Sequence, residues 1–255
     1  MKAVILCGGK GTRLAEETEL RPKPLVEIGE YPILWHIMKG LGAHGIKDFG
    51  LALGYKGDQI KDYFLNYHRH ARDLSLNVST GNVQMHDGKS DDWNVTLINT
   101  GQETQTGGRL KRLKDFIGDD TWFMTYGDGV SNVNISELLS FHRKHGKLAT
   151  VTAVHPPARF GELFLENDEV KSFKEKPQTE HGWINGGYFV LESKVLDYIE
   201  GDNTVWEKVP MERLSSEGQL MAYRHNGFWQ CMDTMRDKRL LEGLWHSNKA
   251  PWKGW

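Results

Sequence analysis

Short apolar runs alternate along this chain with stretches whose apolar residues recur at helical spacing. Ala3–Cys7, Phe49–Leu53, Val95–Ile98, Trp122–Thr125 and Leu148–Val154 read as strands. Ile60, Tyr63, Phe64 and Tyr67 recur at i, i+3, i+4 and i+7, which is one face of a helix. Pro32 opens a second helix through Ile33, Leu34, Ile37 and Met38, because its fixed φ suits a first helical turn. Asn134 with Glu137 predicts a capping box for a helix over Ile135–His145, and Gly146 ends it. The second half is more mixed. Leu163–Leu165 and Val170–Phe173 predict a hairpin turning over Glu166–Glu169, while Trp183–Leu191 and Leu220–Arg224 contain further strands. Thr204 with Glu207 predicts another helix cap, Pro210 a break in that helix, and Leu240, Leu241, Leu244 and Trp245 the face of a late helix. Such alternation implies an α/β fold with a mostly parallel sheet covered on both sides. Ligands of these sheets bind beyond the carboxyl ends of strands, where strand order reverses.

The loops that follow strands therefore carry the search for chemistry. Leu6-Cys7-Gly8-Gly9-Lys10-Gly11-Thr12-Arg13 directly follows the first strand. Its three glycines let backbone N–H groups approach an anion without Cβ obstruction, and Arg13 adds a planar fork suited to phosphate. A dinucleotide fingerprint would need another glycine and a good crossover helix. Here Glu16-Glu17-Thr18-Glu19 and then Pro22 and Pro24 follow instead. A Walker loop would need G-x-x-x-x-G-K-[ST], which is absent. In Arg21-Pro22-Lys23-Pro24 the prolines hold the backbone extended and fix where Lys23 points. Asp128, between Gly127 and Gly129 at the end of a strand, is placed to hold Mg²⁺ on a triphosphate, although Gly-Asp-Gly also makes a plain turn. Asp233, read by itself, is a helix N-cap. Thr106-Gly107-Gly108-Arg109 reads either as a loop and cap, or as a second nucleotide contact through backbone N–H groups and Arg109.

Composition narrows the classes. Lys and Arg number 32 against 34 Asp and Glu, a net charge of −2, so no global field draws nucleic acid or an anionic membrane. Phosphate binding must come from a local site. The two cysteines, Cys7 and Cys231, are too few for a disulfide scaffold and read as reduced thiols of a cytoplasmic protein. The first apolar run is too short for a signal-peptide core, and no stretch approaches the ~18 apolar residues of a membrane span. The eleven histidines show no metal-binding spacing such as H-E-x-x-H.

G-G-x-G-T-R-L followed about ten residues later by P-K-P resembles the signature of the nucleotidylyltransferases that make nucleotide sugars. The resemblance extends over nearly the whole chain. It takes in Trp93-Asn94-Val95-Thr96-Leu97, Thr106-Gly107-Gly108-Arg109-Leu110-Lys111-Arg112, Tyr126-Gly127-Asp128-Gly129-Val130, Glu175-Lys176-Pro177, Asn185-Gly186-Gly187 and Gly227-Phe228-Trp229-Gln230-Cys231-Met232-Asp233-Thr234. Its detail is that of the glucose-1-phosphate cytidylyltransferase branch. Arg21 stands where that branch often has Lys, and Cys231 where Pro is expected.

The resemblance implies a fold, a reaction and a set of site residues. By it, the chain is a single Rossmann-like nucleotidyltransferase domain over residues 1–255, with a mostly parallel, mixed sheet. Its N-terminal half binds the nucleotide; its C-terminal half binds the sugar phosphate and carries oligomer contacts. The implied reaction is CTP + α-D-glucose 1-phosphate → CDP-glucose + pyrophosphate, in nucleotide-sugar supply for lipopolysaccharide O-antigen. By the same resemblance Arg13, Lys23 and Asp128 are catalytic, and Asp128 and Asp233 hold Mg²⁺. Leu6, Cys7, Gly8, Gly9, Lys10, Gly11, Thr12, Arg13, Lys23, Thr104, Arg109 and Gly127 meet the nucleotide. Glu175, Lys176, Asn185 and Gly186 meet the sugar phosphate. The implied protein is a homo-oligomer, a hexamer being one form, and it engages neither nucleic acid nor membrane. Spacing by itself does not choose the base. Only the resemblance selects CTP, and the same reaction with UTP or dTTP stands as the alternative. An NAD(P)-dependent oxidoreductase and a non-catalytic relative are the rival classes. The first lacks its glycine; the second would be expected to lose one of Lys23, Asp128 and Asp233.

Overall fold

The computed structural model describes residues 1–86, 91–156, 162–166, 169–174 and 182–255. Its centre is a seven-stranded sheet: β1 (Lys2–Cys7), β2 (Asp48–Leu53), β3 (Asn94–Asn99), β4 (Trp122–Tyr126), β5 (Ala149–Val154), β6 (Ile184–Leu191) and β7 (Leu220–His225). The spatial order is β7-β5-β6-β4-β1-β2-β3. β1 runs parallel to β2, in register from Lys2↔Asp48 to Cys7↔Leu53, and parallel to β4, from Ala3↔Phe123 to Leu6↔Tyr126. β6 alone is reversed, antiparallel to both β4 and β5. The sheet is thus mixed and mostly parallel, as the alternation predicts. The chain winds outward through β1, β2 and β3 and then returns to lay β4 on the other side of β1. The β1/β4 boundary is therefore the switch point, and the loops after Cys7 and Tyr126 open onto it.

Alternate side chains of β1 feed two cores, because successive residues of a strand face opposite sides. Ala3, Ile5 and Cys7 pack on one face with Phe49, Leu51 and Leu53, under helix α1 (Ile33–Ala43). Val4 and Leu6 pack on the other with Met124, Phe189, Leu110, Leu113 and Trp206. Both faces are dry, so these strands read as continuous apolar runs. Truncating a side chain as buried as Ile5 to Ala costs about 2–5 kcal/mol.

The longer helices among the described residues are, besides α1, α2 (Gly57–His70), α3 (Thr106–Arg112), α4 (Ile135–His145), α5 (Val209–Ser216) and α6 (Met235–His246). Asn134 Oδ1 caps α4 by accepting from the Ser136 and Glu137 N–H groups, and Gly146 ends it at φ 63°. Glu137 returns its contact to the Asn134 side-chain amide rather than to the backbone, so half of the expected box is formed. The expected hairpin is present as Glu162–Glu166 paired antiparallel with Glu169–Lys174; Asn167 and Asp168 at its turn lie outside the described residues.

Two expectations are corrected. Thr204 and Glu207 do not cap a helix: Thr204 Oγ1 accepts from the Gly201 N–H at 3.2 Å, and the Glu207 carboxylate accepts from the Tyr126 hydroxyl instead. Pro210 starts α5 rather than breaking a helix, because its missing N–H falls among the first-turn donors that have no intrahelical partner. The segment after β1 contains short helical turns over Thr12–Leu14, Ala15–Thr18 and Lys23–Leu25.

Candidate active site

The glycine loop leaves β1 at the switch point. Gly11 adopts φ 64°, the left-handed region, so a β-branched residue there would be strained. A Cβ at Gly11 would also press on Thr18 and Lys23, at 2.8 and 3.2 Å. The loop therefore lies directly against the Pro22-Lys23-Pro24 turn. Pro22 is extended (φ −65°, ψ 145°) and starts the turn that buries Lys23.

Lys23 Nζ donates to Asp128 Oδ2 and Asp233 Oδ1, each at 2.6 Å. Arg13 Nη1 lies 2.8 Å from the other oxygen of Asp233. A short antiparallel ribbon brings the two aspartates together: Gly129–Ser131 pairs with Trp229–Cys231, and the Met232 N–H donates to the Asp128 carbonyl at 2.8 Å. Asp233 is not the helix cap it resembles. Thr234 caps α6 in a reciprocal box with Asp237, which leaves the Asp233 carboxylate free to turn inward. Burial would lower the Lys23 pKa, but Asp128 and Asp233 outweigh it and hold the ammonium above its usual value. For Asp233 burial pushes upward, and Lys23 and Arg13 pull the carboxyl below its usual range. Cys231, donating toward Asp233 at 3.6 Å, is pushed up to about 12 by burial and by the aspartates.

Two chambers meet here. One, of about 280 Å³, is lined by the glycine loop, Lys23, Thr104, Thr106, Arg109 and Gly127. The other, of about 320 Å³, is lined by Asn185, Gly186, Tyr188, Glu207, Trp229 and Asp233. Arg13, Tyr126 and Asp128 belong to both. The structure thus gathers Leu6, Cys7, Gly8, Gly9, Gly11, Arg13, Lys23, Thr104, Arg109, Gly127 and Asp128 around one chamber, and Asn185, Gly186 and Asp233 around the next. Lys10 reaches instead to Glu103, at 3.0 Å on the surface. Glu175 and Lys176 lie outside the described residues.

The Thr106-Gly107-Gly108 turn differs from its reading as a donor for phosphate. The Gly107 and Gly108 N–H groups both donate to the Thr204 carbonyl, at 2.9 and 3.2 Å. Segment 202–204 crosses so closely that a Cβ at Gly108 would meet the Asp202 Cα at 2.5 Å. These glycines serve packing. Glu207 has no signal in the sequence beyond the mistaken cap. It accepts from Thr106 Oγ1 at 2.6 Å and from the Tyr126 hydroxyl at 2.5 Å, tying the wall of one chamber to the other.

The carboxylates also fit a divalent cation. Asp128 and Asp233 each present one oxygen at 2.6 Å to a single cationic centre, here the Lys23 ammonium. Among the described residues no group of three or more His, Cys, Asp and Glu is arranged for a metal, so the protein offers two carboxylates. Mg²⁺ is commonly held that way, with phosphates and water completing its shell.

A loop of backbone donors, two cations and two carboxylates at the switch point of an α/β sheet define a phosphoryl-group-transferring enzyme. The chain belongs to the nucleotidyl transferase family, whose sequence profile matches residues 2–232. Along its full length it is 53% identical, over 256 residues, to the glucose-1-phosphate cytidylyltransferase of Salmonella typhi, with 100% of both chains covered. It is 47% identical over 256 residues to the probable glucose-1-phosphate cytidylyltransferase of Bacillus subtilis, again over 100% of each. The fold is shared with the crystal structure of HddC from Yersinia pseudotuberculosis (TM-score 0.72, 22% identity, 96% and 99% of the two chains). It is also that of the UDP-glucose pyrophosphorylase from Acinetobacter baumanii (TM-score 0.71, 17% identity, 98% and 95%).

Proposed function

We propose that this enzyme transfers a cytidylyl group from CTP to α-D-glucose 1-phosphate, forming CDP-glucose and releasing pyrophosphate. The observation that carries the reading is that Arg13, Tyr126 and Asp128 wall both chambers, so that a nucleotide in one and a sugar phosphate in the other meet at the Lys23–Asp128–Asp233 cluster. The choice of cytidine and glucose rests on the full-length similarity to the Salmonella and Bacillus enzymes.

In this reaction an oxygen of the sugar phosphate attacks the α-phosphorus of CTP, and the bond to the β-phosphate breaks on the opposite side. The electron pair leaves with pyrophosphate. The nucleophile is already an anion, so no general base is needed, and positioning and electrostatics supply the catalysis. Lys23, held as an ammonium, stabilises charge on the α-phosphoryl oxygens. Arg13 and the Gly8–Gly11 N–H groups take the leaving pyrophosphate. Asn185 and Gly186 border the sugar; the Asn185 Oδ1 accepts from the Gly187 N–H at 2.8 Å, and its NH₂ donates to the Tyr126 oxygen with one hydrogen, keeping the second for a sugar hydroxyl. Glu175 and Lys176 are proposed for the same chamber on the family resemblance. Asp128 and Asp233 would hold Mg²⁺, which would supply positive charge against the two phosphate groups.

Pyrophosphate release from glucose 1-phosphate, measured side by side with CTP, UTP, dTTP, ATP and GTP, tests the assignment. Cytosine offers N3 as an acceptor and N4–H₂ as a donor; uracil and thymine reverse both, and a buried site built for one pattern can reject the other by ~10⁴. A higher kcat/KM with UTP or dTTP than with CTP would overturn the cytidylyl assignment and leave the enzyme class standing.

The resemblance further supports a cytoplasmic homo-oligomer, with a hexamer as one form. A ribbon of Leu74–Leu76 and Val83–Met85 fits that reading, because it leaves Leu76 and Val78 53% and 88% exposed. Sedimentation velocity at micromolar concentration distinguishes it from a monomer. Among the described residues no helix is long and apolar enough to cross a membrane.

A further inference from the structure

The turn that follows β2 holds both ends of the segment that opens with the glycine loop. The Tyr55 N–H donates to the Gly8 carbonyl at 3.2 Å, where that segment begins. The Tyr55 hydroxyl and Lys56 Nζ both donate to the Thr18 carbonyl, each at 3.3 Å. Lys56 Nζ also donates to the Glu19 carbonyl, and Gln59 Nε2 to that of Leu20 at 3.2 Å. These carbonyls end the Ala15–Thr18 turn, where helix geometry supplies no donor and a lysine can take that place. Thr18 passes the contact back: its hydroxyl lies 3.1 Å from the Gly11 carbonyl and 3.0 Å from that of Leu14. Lys56 reaches this position through an unfavourable backbone. Its φ of 51° and ψ of 32° lie in the left-handed region, which among the described non-glycine residues only Asn248 shares as a positive φ.

We infer that Lys56 is a positioning residue for the reaction: it sets the segment that carries Arg13 and Lys23, and it does so through backbone carbonyls without meeting either substrate. Lys56 lines neither chamber. Its ammonium lies 5.2 Å from the centroid of the Tyr55 ring and within hydrogen-bond reach of Thr18 and Glu19. Arg13 depends on such support, since its side chain is 70% exposed and its contact with Asp233 is made from a turn rather than a long helix. The glycines ahead of it sample both signs of φ and do little to hold the loop in one conformation. Glycine would also fit position 56 without strain. A lysine stays in that conformation only where its surroundings over-determine it, and here the three carbonyl contacts of the Tyr55 and Lys56 side chains do so. Arg13 and Lys23 act on the reacting phosphates, and a displacement of about 1 Å at such groups can cost ~10² in rate. A segment tied down before the substrates arrive also has less freedom to lose on binding.

The inference rests on the proposed roles of Arg13 and Lys23, and its test keeps the two apart. Lys56→Gly removes the ammonium and relieves the backbone, so Tm should change little. With whichever nucleoside triphosphate the wild type accepts, kcat should fall at least about tenfold. The KM for pyrophosphate in the reverse direction should rise about threefold or more, while the KM for glucose 1-phosphate stays within about twofold. Lys56→Arg keeps the cation and its reach and should recover most of kcat. Tyr55→Phe removes the hydroxyl donor alone; it should show the same pattern more weakly, and it carries the test if Lys56→Gly does not fold. Amide exchange in ligand-free protein should quicken over residues 12–22 and not over β1 or β4. A plain structural cap predicts otherwise: wild-type kcat in Lys56→Gly, or a lower Tm with both KM values raised together. Either result overturns the inference, as does unchanged exchange over residues 12–22. If the wild type uses none of the nucleotides, the proposed reaction fails, and exchange, which needs no substrate, still decides whether Lys56 holds the segment.

Discussion

Lys23 and Asp233 stand 210 positions apart in the chain and 2.6 Å apart at Nζ and Oδ1. The contact depends on two turns that point side chains inward. Pro22 and Pro24 aim Lys23, and the Thr234–Asp237 box caps α6 so that Asp233 need not.

Asp233 and Thr234 are adjacent yet should separate cleanly on mutation. Asp233→Asn is expected to cut turnover by ~10²–10³ or more with α6 intact, since it removes charge at the reacting centre. Thr234→Ala should cost about 1 kcal/mol of stability and leave most activity. Near-normal kcat in Asp233→Asn, measured beside its thermal unfolding, would remove Asp233 from the site.

Lys23→Ala should depress kcat more than it raises the KM for nucleotide, because the ammonium acts on charge that grows in the transition state. Steady-state kinetics in both directions check this. A raised KM with unchanged kcat would make Lys23 a ground-state binding group.

Acid should destabilise the protein in two stages. Burial depresses the His36 pKa to about 4; the ring is neutral in the fold, with Nε2 on the Ile28 carbonyl at 2.9 Å and Nδ1 facing the Trp252 indole N–H at 3.3 Å. The unfolded chain takes up a proton first, near pH 6.5, so stability should fall from about pH 6.5 to about 4, each pKa unit being worth about 1.4 kcal/mol. The Asp233 carboxyl is also depressed. Its contribution is present above the unfolded value of about 3.9 and is lost below it. Tm of wild type should exceed that of Asp233→Asn above about pH 4, and the two curves should converge on the lower limb. NMR titration of His36 that moves near pH 6.5 would contradict the first stage.

Both thiols should resist alkylation near pH 7.5 in the native state. Cys231 is raised to about 12, and burial with Asp128 holds Cys7 well above its usual value, so neither supplies thiolate. Rapid modification of either by iodoacetamide, at a rate unlike that of unfolding, would contradict the geometry around Asp128 and Asp233.

Local order was written in the chain. Ala3–Cys7, Phe49–Leu53 and Ala149–Val154 lie in strands because β-branched and apolar residues dominate these short runs. Asn134 and Gly146 bound α4 within their own few residues. Glycine spacing and the proline-flanked Lys23 likewise marked the phosphate loop. What needed the tertiary structure was every pairing across distance. Asp233 looked like a cap until its neighbour Thr234 took that role, and Glu207 looked like one until Thr106 and Tyr126 were found donating to it. The Gly107–Gly108 amides suited a phosphate by residue type, yet the Thr204 carbonyl already holds both. A side chain's propensity is set by its own backbone, but its partner is set by the order in which strands assemble. That order, with β4 laid beside β1 and the ribbon joining Gly129 to Cys231, exists only once the sheet has closed around its two cores.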